Sequence, residues 1–151
     1  MSNILITSVK ELMARDLAKL KLEISMYKTE DAIWKLEGDI KNTAGNLSLH
    51  LCGNLQHYIG AILGQSDYVR NRDAEFSTRG LSQAALVKEI ETTLQIVEKT
   101  LEALNPAIVD QTYPEVVLGK PTTTGFFLIH LAGHLNYHLG QVNYHRRLVA
   151  M

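Results

Sequence analysis

The chain has 151 residues, 46% hydrophobic and 21% charged, with Lys+Arg 15 against Asp+Glu 16 and a formal net charge of −1. That length fits one domain with a sizeable core, and the balance excludes wholesale disorder and any charge excess that would hold nucleic acid or an anionic membrane. The single cysteine, Cys52, excludes a disulfide within the chain and any zinc site needing two of its thiolates.

In chain order, the first periodic segment runs from Ile4 to about Lys28. Ile6, Val9, Leu12, Met13, Leu17, Leu20 and Ile24 recur at steps of three and four, which marks one apolar helix face. Tyr27 to Lys41, with Trp34 and Gly38, reads as a connection holding a short turn or helical piece. A second helix is expected from Asn42–Asn46 to about Gly64, carrying Leu47, Leu51, Leu55, Tyr58, Ile59 and Ile62. Gly53, Gly60 and Gly64 each cost roughly 1 kcal/mol against Ala in a helix interior. Three such costs in one helix point to close approach by another helix or a ligand. Gly133 and Gly140, further on, repeat the spacing of Gly53 and Gly60 and carry the same expectation.

Gln65 to Gly80 reads as a polar loop, and Arg70, Arg72, Asp73 and Glu75 within it as solvated charges with internal ion pairs, ahead of the alternative of a polar rim at the mouth of a site or the bundle end. A third helix is expected from Ser82, a good N-cap, to Leu104. All three prolines, Pro106, Pro114 and Pro121, fall in the next connection, and a fourth helix should run from Thr122–Thr124 to about Val149. No alternating strand pattern occurs. The expected fold is therefore all-α, a four-helix bundle formed by one domain over residues 1–151, with long connections that need not give strict up-down-up-down order.

No run of about 18 apolar residues reads as a membrane span. Charges interrupt the first residues too early for a secretory leader. The expectation is a cytoplasmic protein that binds neither membrane nor nucleic acid.

The sequence becomes specific at its histidines. His50 and His57 fall in the second helix, and His130, His134, His138 and His145 in the fourth. Residues four apart share a helix face with Cβ atoms about 5–6 Å apart, close enough for His134 and His138 to converge on one metal, with His50 supplying a third nitrogen from the neighbouring helix. His130 to His138 spans about 12 Å of rise, too far for all to bind one ion, so His130 is a supporting or simply buried residue. His57 and His145 read as peripheral polar groups at an end of the helix contact. Three neutral ligands leave coordination positions open, where a cation lowers the pKa of water or a thiol. A carboxylate-bridged di-iron site is disfavoured, because no glutamate precedes a histidine by three. Cys52, two residues from His50, faces another direction and reads as a small buried hydrophobe.

The segment His130-Leu-Ala-Gly-His134-Leu-Asn-Tyr-His138-Leu-Gly-Gln141-Val resembles the C-terminal signature of the DinB/YfiT-like metalloenzymes. Asn46-Leu-Ser-Leu-His50-Leu-Cys-Gly-Asn54-Leu looks like that family's second-helix signature, and Arg70 to Phe76 is similar to a loop of one DinB-like subfamily. The resemblance covers Trp34 through Arg147. It implies a four-helix bundle, often dimeric, with His50, His134 and His138 on a divalent metal. Asn54, His130 and Gln141 are the candidates for supporting that centre. Characterised relatives use low-molecular-weight thiols such as bacillithiol or mycothiol. The expected activity is thus S-transferase-like or hydrolase-like, acting on a small thiol or an electrophilic substrate, with zinc or nickel, or else iron, as cofactor. The alternative is a non-catalytic helical homodimer that binds metal or ligand in a stress response. Imidazole nitrogens alone do not choose the metal.

Overall fold

The computed structural model describes residues 3–150. Helix α1, Ile4–Ser25, starts where the Asn3 side chain accepts the N–H groups of Leu5 and Ile6. Its buried face is Ile6, Val9, Met13, Leu17, Leu20 and Ile24. The helix stops at Ser25, short of Lys28, and Met26 caps it. The connection holds the one-turn helix α2, Glu30–Ile33. Trp34 then donates its indole N–H to Leu81 O at 3.1 Å. The indole lies over Gly45, where a Cβ would come within 2.7 Å of three ring carbons.

Helix α3, Ala44–Leu55, is capped by Thr43, whose hydroxyl accepts from Asn46 N–H. It continues as a π-helix, Gln56–Ala61. The second helix thus has nearly its expected extent but a wider winding, with Ile62 N–H bonded to His57 O and Gly64 N–H to Ile59 O. Such widened turns are frequent at functional sites. The segment expected as pure loop contains helix α4, Arg72–Ser77, capped by Asn71. Helix α5, Gln83–Ala103, is capped by Ser82. A 3₁₀ turn, Pro106–Asp110, and an isolated antiparallel bridge between Thr112 and Thr123 shape the last connection. Helix α6, Thr124–Val149, is capped by Thr123. Among the described residues there is no strand, so the fold is all-α as expected. No helix among them is long and apolar enough to cross a membrane.

Helices α1 and α3 each pack against both α5 and α6. Cross-links fix the directions. Asp16 meets Asn136 and Glu23 meets Asn143 and Arg146, so α1 and α6 are parallel. Lys10 meets Glu102 and Lys21 meets Glu91, so α5 runs against α1. His50 meets His134, whereas Tyr58, two turns on, packs on Phe127, so α6 runs against α3. The order is up, down, down, up. Two consecutive helices pointing the same way force residues 65–80 to return along the bundle, and α4 is laid against α3 as a result.

The glycines divide. A Cβ at Gly60 would lie 2.8 Å from Ile96, and one at Gly64 would lie 2.9 Å from Thr100, so these two admit α5 closely. At Gly133 and Gly140 a Cβ would meet nothing within 4 Å. Both sit on the outer face of α6, and the close approach expected there does not occur.

Candidate metal centre

The antiparallel crossing of α3 and α6 brings His50, His134 and His138 together. One ligand nitrogen from each lies within 4.8 Å of the others. The ring centroids are 5.0 Å apart for His50 and His134, 5.3 Å for His50 and His138, and 4.6 Å for His134 and His138. His50 is buried; the two α6 rings are half-buried, which leaves a way in from solvent.

The partners of the outer nitrogens decide which lone pairs face inward. His50 Nδ1 donates to Glu75 Oε1 at 3.0 Å. His138 Nδ1 donates to Gln141 Oε1 at 2.7 Å. With the proton held at Nδ1 in both, each Nε2 keeps its lone pair. His50 Nε2 stands 3.2 Å from His134 Nε2. Ligand nitrogens on tetrahedral zinc stand about 3.4 Å apart, given bonds of about 2.0–2.1 Å. Two rings facing nitrogen to nitrogen either share one proton or converge on one cation, and His138 offers the third donor for the second outcome. His134 Nδ1 is buried without a hydrogen-bond partner, so no other protein group claims this ring. Burial, then the neighbouring His138, His50 and His130, push the His134 pKa down to about 4. Burial and His50 likewise lower that of His138, against the opposing bond to Gln141. Both rings are therefore neutral at neutral pH, the protonation state that ligation needs. These residues fit a divalent cation, though the positions alone do not identify it.

Glu75 is the group that sequence reasoning undervalued. It is 5% exposed, not solvated. Arg70 grips it with two bonds, Nε to Oε2 at 2.9 Å and Nη2 to Oε1 at 3.0 Å. The internal ion pair exists, but it is buried against His50. Burial alone would raise the Glu75 pKa. The bonds from His50 and Arg70, with the charge of the guanidinium, outweigh this and hold it below the usual carboxylate value. Asn46 fastens the return segment by donating to Glu75 O at 2.9 Å and Thr78 O at 2.8 Å. Gly53 leaves room for the carboxylate; a Cβ there would collide with Glu75 Oε2. The close approach expected at Gly53 is thus made by a helix, α4, through this carboxylate. The available signal was an acidic residue in a motif-like loop and a glycine three residues after His50. A carboxylate that orients a metal-binding histidine is a recurrent supporting group.

The other candidates fall as follows. Gln141 supports His138 directly. Asn54 is buried one turn from His50, but its Oδ1 has no partner and it bonds to none of the three histidines. His130 is exposed and stacks on Phe127 at 5.7 Å, without a hydrogen bond to the trio. His57 pairs with Glu115 at 3.1 Å. His145 is not peripheral: it is 5% exposed and bonded to Tyr27 and Lys35 O. Cys52 is buried, which pushes its thiol up to about 12, and it stays a closed thiol.

The fold and this cluster define an all-helical bundle with a three-histidine candidate metal centre between antiparallel helices. The sequence model of the family described as "Protein of unknown function (DUF1572)" matches residues 3–150, and the chain belongs to that family. No curated protein matches it.

Proposed function

We propose that this protein is a divalent-metal-dependent enzyme of DinB/YfiT type. His50, His134 and His138 hold the metal, and the substrate is a small thiol or an electrophile that a thiol or water attacks. The observation that carries this is the convergence of three imidazole nitrogens, two of them presented by Nδ1 bonds to Glu75 and Gln141. A divalent cation on three neutral nitrogens supplies Lewis acidity to water or a thiol in its open positions. The chain's own residues do the rest. Glu75 and Arg70 fix the His50 ring, and Gln141 fixes His138. Burial keeps His134 unprotonated. Zinc or nickel fits this donor set, as does iron. S-transfer comes first because the resemblance extends to thiol-using enzymes; hydrolysis comes second. The protein acts as a cytoplasmic homodimer in this reading.

The test is metal content after purification without chelator, for wild type and His134→Ala. The expected result is one metal per chain, lost in the variant while the helical circular-dichroism spectrum persists. A screen of thiols and electrophiles with the metal-loaded protein then decides the chemistry. Wild-type protein that holds no metal after exposure to zinc, nickel and iron would overturn the reading. Bound metal with no turnover of any substrate would favour the non-catalytic metal-binding role.

A further inference from the structure

Beside the candidate centre, a groove of about 510 Å³ opens between the Ile40–Asn42 connection and the C-terminal half of α6. That volume lies within the range of small-molecule sites, about 300–1,000 Å³. Its walls are largely apolar: Ile40, Leu47, Tyr144 and Leu148 line it. Ile40, Tyr144 and Leu148 are 38%, 76% and 49% exposed, so much apolar surface there faces water. Gln141, Lys41, Asn42 and His145 break this surface. Gln141 lines the groove and also holds His138 through its Oε1, which sets the groove next to the metal centre.

Charge selects the ligand. Among the described residues, no acidic side chain lines the groove. His145, which also lines it, has a lowered pKa and both ring nitrogens bonded within the protein. Among the described residues, Lys41 takes part in no ion pair. The groove therefore combines an apolar trough with one uncompensated cation at its edge. An ammonium beside low-dielectric walls attracts an anionic head more strongly than one in open water.

We infer that this groove is the substrate subsite of the three-histidine centre, taking a small molecule with an apolar body and an anionic head. The apolar body lies along Ile40, Leu47 and Leu148. The head meets Lys41, and the free amide of Gln141 faces the reacting end. This rests on the metalloenzyme reading, but its test does not need turnover.

The test follows backbone amide resonances of the full chain during titration with 4-phenylbutyrate, an aromatic carboxylate, and with 4-phenylbutylamine, its cationic counterpart. Both are added to metal-free and to zinc-exposed protein. The carboxylate should give saturable shifts confined to residues 40–47 and 141–148 and bind at least about tenfold more tightly than the amine. Lys41→Glu should remove that preference, and Leu148→Glu should weaken both probes. Shifts scattered over the chain, equal binding of the two probes, or indifference to both substitutions would overturn the inference. So would carboxylate binding that weakens as protein concentration rises, because a second copy would then fill the groove. Loss of the metal reading would show in metal content with these shifts intact. Loss of the subsite would show in the shifts with metal content intact.

Discussion

A single ring at His145 ties two points of the connection between α1 and α3 to α6. Its Nε2–H donates to Lys35 O at 2.7 Å, and its Nδ1 accepts from the Tyr27 hydroxyl at 2.6 Å. Burial lowers the His145 pKa, against the opposing bond to Lys35. Burial and Glu23 raise that of Tyr27, so the hydroxyl keeps its proton. In the unfolded chain the imidazole titrates near its ordinary value of about 6.5. The unfolded state therefore binds a proton before the folded one does. The stability this group contributes is complete above about pH 6.5 and is lost as the pH falls from there towards the lower folded value. Wild type should lose more stability between pH 7.5 and 5.0 than His145→Phe does, measured by urea unfolding with chelator present. At pH 7.5 the variant should be less stable by about 2 kcal/mol, because Tyr27 and Lys35 O lose their buried partner. Parallel pH profiles for the two proteins would show that the ring is not held neutral.

At the scale of elements, the centre depends on a contact between α3 and α4, the short helix in the returning segment. Gly53 costs α3 about 1 kcal/mol of helix propensity relative to Ala, yet only a glycine lets Glu75 reach His50. Gly53→Ala should lower zinc affinity about 10–100-fold in competition with a chromophoric chelator, the range typical when a supporting partner of a ligand is lost. In a Glu75→Ala background the same substitution meets no carboxylate and should raise the thermal midpoint. A double-mutant cycle that closes additively would contradict the contact. This pair also marks the limit of what the sequence reveals. The four long helices were legible because Ile6 to Ile24, Leu86 to Leu101 and their counterparts repeat at helical spacing, and Ser82 caps at the position its residue type favours. The histidine trio was legible because His134 and His138 share a face fixed by local geometry. Glu75 was not, because its burial comes from the same-direction order of α3 and α5, which folds residues 65–80 back along the bundle. Nor was the role of His145, since Tyr27 and Lys35 approach it from more than a hundred residues away. Gly133 and Gly140 misled for the opposite reason: their spacing matches a helix contact, but within one chain they face outward.

For the whole molecule, that outward face is the feature left without a partner. From Thr124 through His145, α6 carries no Asp, Glu, Lys or Arg, although one side of it lies at the surface. Phe126, Ile129, Tyr137 and Tyr144 on that side are each more than half exposed. Phe126, Gly133, Tyr137 and Gly140 recur at steps of three, four and seven, a seam of knobs and notches in one helix. An isologous contact asks each copy for both shapes, and this seam supplies both. The aromatic residues each offer on the order of 100 Å²; with Ile129 and the glycines, two copies would bury roughly 1,000 Å², the lower bound of a specific interface. The homodimer we propose is therefore weak and concentration-dependent, and it forms along α6 beside the candidate centre. Sedimentation equilibrium should give a mass approaching two chains at high micromolar concentration and one chain on dilution. Ile129→Glu places a carboxylate on the seam without touching the core, because Ile129 is 56% exposed. It should hold the protein monomeric at every concentration while the thermal midpoint of the diluted chain stays unchanged. A wild type that remains one chain throughout, or a variant that dimerises equally well, would move the contact off this face.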